Sequence, residues 1–206
     1  MLQQIELPDL FNATPPSDAA QALLREADER IDEFLHRRRG AVIHDFVCSD
    51  FLAVDAHLRW IVEKHMIAGR AFCEWGCGFG VIALLASLQN FDACGIDVQP
   101  ELVEHAEQLA ADFGIPAQFA HGSLIPPDCE DLILDVEELA HIDLDTPSAY
   151  EDLGMDLCDF DLVFGYPWPG HERFMEDIFD YNASDGALLL TYHGIEDLRL
   201  HRRVRG

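Results

Sequence analysis

The chain has 206 residues, 49% of them hydrophobic, and 13 basic against 39 acidic residues give it a formal net charge of −26. This apolar content excludes a disordered chain, and without a secretory signal or an apolar run of about 20 residues we expect a cytoplasmic protein with no membrane contact. Residues 71–172 contain 21 Asp and Glu but no Lys or Arg, so nucleic acid is not an expected partner unless another subunit supplies positive charge.

Two helices are predicted in the N-terminal third. The first begins at a capping residue, Ser17 or Asp18, and ends at an arginine triplet, residues 37–39, where a helix favours cations. An extended stretch, residues 40–50, leads to a second amphipathic helix that Ser49 or Asp50 would cap and that stops near Gly69. The apolar face of this second helix would consist of Phe51, Val54, Leu58, Ile61, Val62 and His65. We expect residues 1–68 to form a helical extension, a lid or flank packed on the main domain.

From residue 70 onward, strand patterns alternate with helix patterns. The predicted strands are 70–75, 92–98, 117–124, 160–167 and 186–194, and the predicted helices are 80–90, 100–114, 131–142 and 171–183. Strands that are separated by helical crossovers indicate an α/β fold, a mostly parallel sheet with helices on both faces. We assign this fold to a domain of residues 69–206. Ligands of such sheets bind beyond the carboxyl ends of the strands, so functional residues should follow each strand.

The stretch FCEWGCGFG, residues 72–80, joins the first of these strands to its helix and contains Gly76, Gly78 and Gly80. A glycine turn between a strand and a helix is a typical nucleotide-binding position. Asp97 ends the next strand, where a carboxylate can accept hydrogen bonds from both ribose hydroxyls. The combination predicts a ligand that contains a nucleoside.

Glu74, just ahead of the glycines, restricts the class of ligand. A carboxylate at this point would repel a pyrophosphate and attract an ammonium group. S-adenosylmethionine combines a ribose with an ammonium group and has no phosphate. A nicotinamide-dependent oxidoreductase is a disfavoured alternative, because of Glu74 and because the spacing is GxGxG, whereas a dinucleotide site has GxGxxG.

The motifs EWGCGFG and GIDVQPELVEHA resemble the first two binding motifs of the class I S-adenosylmethionine-dependent methyltransferases, over roughly residues 70–192. The resemblance implies a Rossmann-like fold, an S-adenosylmethionine cofactor and methyl transfer to an acceptor. It places Glu74 at the cofactor's amino group, Asp97 at the ribose and Ser123 near the adenine. The cofactor-binding set that it implies is Glu74, Gly76, Cys77, Gly78, Gly80, Asp97, Val98, Ser123 and Gly165.

The turn GYPWPG, residues 165–170, follows the fourth predicted strand, and in this family that turn faces the reactive methyl group. It resembles the Asn-Pro-Pro-Tyr loop of amino-methylating enzymes, but Tyr166 stands in place of the amide and Trp168 in place of the second proline. The candidate bases at this edge are Tyr166, His171 and His193, of which Tyr166 and His193 are the predicted catalytic pair. The predicted substrate-lining residues are Tyr166, Pro167, Trp168 and His171. An aromatic pair in acidic surroundings suits a neutral or cationic acceptor, which could be a small molecule or a protein side chain.

The C-terminal end is short for this family, whose members normally finish the sheet with an antiparallel hairpin. About a dozen residues remain after TYHG, so we expect a shortened end and an edge that a second subunit of a homo-oligomer could cover. The six cysteines form no CxxC pair, and no metal site is expected. A non-catalytic S-adenosylmethionine-binding protein, or a partner subunit of an active enzyme, is the alternative that the sequence leaves open.

Overall fold

A computed structural model describes residues 1–10, 14–38, 46–127, 129, 145–194 and 197–206. The predicted helix 131–142 and most of the extended stretch 40–50 lie outside these ranges. The strands are β1 (Leu2–Ile5), β2 (Ala71–Trp75), β3 (Asp92–Asp97), β4 (Ala117–His121), β5 (Leu162–Gly165), β6 (Leu188–Tyr192) and β7 (Leu198–Arg203). The helices are α1 (Asp18–Arg37), α2 (Phe51–Glu63), α3 (Val81–Leu88), α4 (Pro100–Phe113), α5 (Tyr150–Leu153) and α6 (Glu172–Asn182). Within the described ranges, no helix is both long and apolar enough to cross a membrane.

The described strands form a seven-stranded sheet in the order β1-β7-β6-β5-β2-β3-β4. The neighbours from β6 to β4 are parallel, and β7 runs antiparallel to both β6 and β1. The predicted α/β fold with a mostly parallel sheet is confirmed. From β2 the chain adds β3 and β4 on one side and then returns to β5 on the other, so the strand order reverses between β2 and β5. A crevice beyond their carboxyl ends is the usual ligand site of such a sheet.

Apolar side chains project from both faces of the sheet. Helices cover both faces because these side chains must be buried. Phe72 and Phe164 point into one core with residues of α1, α2, α3 and α4. Val163 and Leu189, which alternate with residues of the first core along their strands, point into a second core with α6. Alternation of this kind follows from the two-residue period of a strand.

The N-terminal helices begin at the predicted caps. The Ser17 hydroxyl accepts a hydrogen bond from the Ala20 amide at 3.2 Å, and the Asp50 carboxylate accepts one from the Ala53 amide at 3.0 Å. These side chains satisfy amides that have no partner inside the helix.

The predicted end of α2 is wrong. The helix stops at Glu63, and His65 adopts a left-handed conformation with φ of 51°. The amide of His65 donates to the Val62 carbonyl and that of Met66 to the Ile61 carbonyl, the pair of bonds with which a left-handed residue closes a helix. The helix thus ends at a histidine, earlier than the Gly69 stop that we predicted, and His65 is exposed and lies outside the apolar face.

Strand β1 was not predicted, and it changes the expected sheet edge. Residues from Leu2, opposite Arg203, to Ile5, opposite Leu200, pair with the outer side of β7. We expected an exposed edge at a shortened C-terminal end, but β7 completes an antiparallel pair with β6 and its outer side is covered by the chain's own N-terminal strand. A strand of four residues with two exposed glutamines in its middle is too short to show a strand period in the sequence.

Candidate functional site

A cavity of about 620 Å³ opens beyond the carboxyl ends of β2, β3, β4 and β5. The turns after these strands form most of its wall, and a segment before α2, residues 46–51, contributes to the rest. The cavity thus lies where the strand order reverses. The predicted site residues that it brings together are Glu74, Gly76, Cys77, Gly78, Asp97, Val98, Ser123, Tyr166, Pro167, Trp168 and His171.

The glycine turn bends sharply between β2 and α3. Gly76, Gly78 and Gly80 have φ values of 68°, 54° and 68°, a region that side chains other than glycine rarely adopt. Close packing adds a second requirement at two of them. A Cβ atom at Gly78 would lie 2.8 Å from Phe46 Cε2, and one at Gly80 would lie 2.4 Å from Phe119 Cε1. A Cβ atom at Gly76 would meet nothing within 4 Å, so this residue faces open space.

Glu74 is a residue of β2 whose carboxylate is buried, 4% exposed, and reaches the first turn of α3. Its Oε2 atom accepts a hydrogen bond from the Ala83 amide at 2.8 Å. It therefore satisfies an amide at the start of α3 that the N-cap residue, Gly80, cannot satisfy because it has no side chain. Burial above all, together with the nearby charge of Asp97, raises the pKa of Glu74 well above its ordinary value. A positive group in the cavity would favour its ionised form.

Asp97 fixes the glycine turn to the end of β3. Its Oδ2 atom accepts a hydrogen bond from the Gly78 amide at 2.8 Å, and its Oδ1 atom accepts one from the Gln99 amide at 2.9 Å. The carboxylate is 7% exposed, and burial raises its pKa in spite of these two bonds. Each carboxylate oxygen can accept a second bond, so capacity remains for the hydroxyl groups of a ligand.

The turn after β4 forms the next part of the wall and is held by the chain that precedes α5. The Ser123 amide donates to the Pro147 carbonyl at 2.8 Å, and the Ala149 amide donates to the Ser123 carbonyl at 3.0 Å. The Ser123 hydroxyl accepts a bond from the Ile125 amide at 3.2 Å. Ser123 therefore shapes this turn as well as lining the cavity.

A buried hydrogen-bond chain that the sequence analysis missed supports the same turn. The Trp75 indole Nε1 donates to the Tyr150 hydroxyl at 2.9 Å, and that hydroxyl donates to the Leu124 carbonyl at 3.1 Å. Both side chains are 2% exposed. The presence of an indole inside the glycine motif was the available signal, because a buried Trp usually needs a partner for its N–H group.

The wall after β5 is aromatic and apolar. The Tyr166 ring meets the Tyr192 ring edge to face, with centroids 4.9 Å apart and planes at 86°. Pro167 is buried, and Trp168 is partly exposed within the cavity wall. His171 precedes α6, is 8% exposed, and donates its amide to the Trp168 carbonyl at 2.8 Å.

Three predicted residues do not line the cavity. His193 lies in the turn after β6, with Nε2 2.8 Å from the Thr191 hydroxyl; burial first, and then Arg199, lower its pKa. Gly165 packs against Met175, so closely that a Cβ atom at this position would lie 2.6 Å from the Met175 sulfur. Gly80 serves the turn and the packing of Phe119. This placement removes the geometric basis for His193 as a base.

The segment 46–51 covers the glycine turn. The sequence analysis predicted a lid or flank within residues 1–68 but did not say which residues would cover the turn. Phe46 lies with its ring centroid 5.9 Å from that of Phe34 and 5.7 Å from that of Phe79. The guanidinium of Arg38 sits 4.6 Å from the Phe34 ring centre and pairs with Glu101 of α4. The end of α1 is thereby anchored beside the cavity.

The electrostatic character of the cavity is negative. Its described lining residues include Glu74 and Asp97 but no Lys or Arg. Nor do the described residues contain a group of three or more His, Cys, Asp or Glu arranged to hold a metal ion. The site therefore provides carboxylates, backbone amides and aromatic walls, which together suit a positively charged ligand with hydroxyl groups.

Comparisons with known proteins find methyltransferases among the proteins to which this chain is similar in sequence and in fold. No protein-family model matches the chain. An alignment 66 positions long, which covers 29% of the chain, shows 38% identity to a ribosomal protein L11 methyltransferase from Cupriavidus pinatubonensis and spans only 22% of that relative. An RNA methyltransferase structure from Salinibacter ruber, in complex with S-adenosyl-L-homocysteine, matches with a TM-score of 0.53 at 16% identity. That match covers 78% of this chain and 95% of the other.

A looser match is a methyltransferase structure from Thiobacillus denitrificans, also in complex with S-adenosyl-L-homocysteine. It has a TM-score of 0.45 and 16% identity over 91% of this chain and 56% of the other. The Salinibacter match and the sheet order agree on the architecture. The chain has the Rossmann-like fold of the class I S-adenosylmethionine-dependent methyltransferases.

Proposed function

We propose that this protein is a cytoplasmic S-adenosylmethionine-dependent methyltransferase that acts on a small-molecule or protein acceptor. The observation that carries the proposal is the pair of buried carboxylates, Glu74 and Asp97, which end adjacent parallel strands in one cavity. Burial makes both hard to ionise, and no cation among the described lining residues compensates them. A cationic ligand would supply the missing charge.

S-adenosylmethionine fits these residues by its chemistry. Its ammonium group would be held by Glu74, its ribose hydroxyls by Asp97, and its adenine between Val98 and the turn that contains Ser123. The bound cofactor would supply a methyl group whose bond to sulfur breaks, leaving the electron pair on sulfur, as the acceptor atom bonds to carbon and loses its proton to water or a nearby base.

The chain's own residues would mainly position the acceptor and keep water out. Methyl transfer from a sulfonium depends chiefly on alignment, because the leaving group is already activated. Tyr166 and Trp168 border the cavity after β5, and Phe46 borders it on the other side of the glycine turn. The Tyr166 hydroxyl is a candidate to accept a proton from the acceptor. Because the turn 165–170 lines an open cavity, the site favours an enzyme over a non-catalytic binder.

Calorimetric titration with S-adenosylmethionine, S-adenosylhomocysteine and NAD tests the proposal. We expect both adenosyl ligands to bind and NAD not to bind. Glu74→Ala and Asp97→Ala should each weaken binding about 10- to 100-fold, the usual cost of a lost hydrogen bond to a charged group. Glu107→Ala, an exposed position on α4 away from the cavity, is the matched control and should bind normally. Failure of the intact protein to bind either adenosyl ligand would refute the proposal.

A further inference from the structure

The cavity extends beyond the residues proposed to hold the cofactor. Its second part, the acceptor half, lies between the segment before α2 and the turn that leads into α6. The acceptor half is lined by Val47, Cys48, Phe51, Tyr166, Trp168 and Phe174. None of these residues belongs to the turns that follow β2, β3 or β4, so an acceptor can occupy this half while a cofactor occupies the other.

Apolar side chains in the acceptor half are left only partly covered. Val47 is 56% exposed, and the rings of Tyr166, Trp168 and Phe174 are also partly exposed. Apolar surface that faces a cavity gains free energy when a ligand covers it. The two flat rings, from Tyr166 and Trp168, favour a ligand with a flat or bulky apolar part.

Carboxylates lie near this half of the cavity, since Asp50 follows the lining residue Ser49 in the chain and Asp32 follows the lining residue Ile31. Burial, followed by the charges of Asp28, Glu74 and Asp32, raises the pKa of the Cys48 thiol to about 11. Asp28 and Asp32 are exposed residues of α1, so this helix carries two negative charges to the rim. Asp50, which caps α2, lies near the Tyr192 hydroxyl. The pKa of Tyr192 is raised first by burial and next by the charge of Asp50.

No Lys or Arg is among the described lining residues, and described arginines on other parts of the chain pair with carboxylates. Arg38 pairs with Glu101 and lies over Phe34. Arg199 pairs with Asp197 at 2.9 Å, and Arg173, the chain neighbour of Phe174, pairs with Asp177 at 3.5 Å. The acceptor half therefore lies in a negative potential that concentrates cations and disfavours phosphates and carboxylates.

We propose that the acceptor is an amine that binds as a cation and carries a flat apolar group, that it lies in the acceptor half with its charge toward the carboxylate rim, and that it loses this proton to water or a nearby base before its nitrogen is methylated. The proposal rests on the proposed function and names its substrate class. A positive group over the Trp168 or Tyr166 ring gains from the ring quadrupole, most strongly when water is excluded. A nucleic acid would have to bring its phosphates into the same negative potential, where no Lys or Arg is among the described lining residues.

A matched series of small probes tests the charge preference on protein saturated with S-adenosylhomocysteine. The probes are phenethylamine, 2-phenylethanol and 3-phenylpropanoate, which share a phenyl ring and differ in charge. Binding is measured by ligand-observed NMR at about millimolar concentrations, suited to fragments of this size. We expect phenethylamine to bind most tightly, the alcohol less tightly and the carboxylate least.

Variants separate the contribution of charge from that of the aromatic wall. The double variant Asp28→Asn/Asp32→Asn should weaken phenethylamine binding about two- to fivefold, as expected for partly exposed charges, and leave 2-phenylethanol unchanged. Trp168→Ala should weaken both probes. Glu107→Gln removes one exposed charge from α4 and should change neither.

The outcomes distinguish this proposal from the proposed function. Failure to saturate the protein with S-adenosylhomocysteine overturns the proposed function and also the substrate class that rests on it. With that ligand bound, the substrate class is wrong if the carboxylate binds as well as the amine, or if no amine binding is detected. It is also wrong if a single-stranded RNA oligonucleotide binds and displaces the probes.

Discussion

At the scale of single residues, Glu74 combines a structural cost with the binding role that we propose for it. We expect Glu74→Gln to stabilise the protein without ligand at neutral pH by about 1 kcal/mol, raising the melting temperature by roughly 2–4 °C. A glutamine can still accept the Ala83 amide bond but has no charge to bury beside Asp97. The same variant should bind S-adenosylmethionine about tenfold more weakly, because the ammonium loses its partner. Thermal unfolding and calorimetry measure the two effects.

The pH dependence of this gain follows from the direction of the pKa shift. Burial raises the pKa of Glu74 in the folded state, so its contribution to stability is fully present below the ordinary carboxyl pKa. That contribution is lost as the pH rises through the raised value. Glu74→Gln should therefore match the wild type in acid and exceed it increasingly toward neutral pH. Glu107→Gln is the exposed control, and an equal gain at every pH would contradict the explanation.

Tyr150 is the second residue whose role can be isolated. Tyr150→Phe leaves the Trp75 N–H and the Leu124 carbonyl without their partner, and we expect it to lower the unfolding free energy by about 1–3 kcal/mol. S-adenosylhomocysteine should also bind more weakly, since the turn that contains Ser123 loses its support. Adding Trp75→Phe should cost less than the sum of the single changes.

The control for Tyr150 is Tyr181→Phe, because Tyr181 is 68% exposed. It should alter neither the melting temperature nor the affinity. If Tyr150→Phe lowers the melting temperature but leaves ligand affinity at the wild-type value, Tyr150 stabilises the fold without positioning the turn.

At the scale of elements, the segment 46–51 closes over the glycine turn through Phe46. The ring packs against Phe34 and Phe79 and lies next to Gly78. We expect Phe46→Ala to speed the dissociation of S-adenosylhomocysteine about tenfold, because apolar cover of the cavity is lost. Stopped-flow displacement measures this rate. Leu52→Ala, at an exposed position outside the cavity, should leave it unchanged, and an unaltered rate in Phe46→Ala would assign that residue to core packing alone.

Strand β1 is the second element with a measurable role. Deletion of residues 1–6 removes the partner of the outer side of β7, and a bare strand edge is a template for pairing with another chain. We expect the shortened protein to melt at a lower temperature and to self-associate with rising concentration, as measured by light scattering. Gln4→Lys in the full chain retains the pairing and should remain unassociated. A shortened protein that behaves like the full chain would show that β1 contributes little.

At the scale of the whole molecule, the net charge of −26 makes the folded chain repel itself. Salt shortens the screening length from about 30 Å at 0.01 M to about 3 Å at 1 M. We therefore expect the melting temperature to rise with sodium chloride, and more than it rises with sucrose of equal osmolality. A fall with added salt would mean that ion pairs such as Arg30 with Asp112 outweigh the general repulsion.

The sequence by itself determined the features that depend on local pattern. The alternation of strands and helices, the caps Ser17 and Asp50, and the glycine turn follow from neighbouring residues. The rule that parallel strands end at one edge then brings Glu74 and Asp97 to the same cavity. For these features, the sequence analysis and the structure agree.

Only the tertiary structure decided the features that depend on distant contacts. Pairing of β1 with β7 joins the two ends of the chain, and the bond from Trp75 to Tyr150 spans 75 positions. His193, after β6, contacts Thr191 and lies outside the cavity. Phe46 reaches the glycine turn from an N-terminal segment. Periodicity is a property of adjacent residues, whereas these contacts are set by how whole elements pack, which no local pattern encodes.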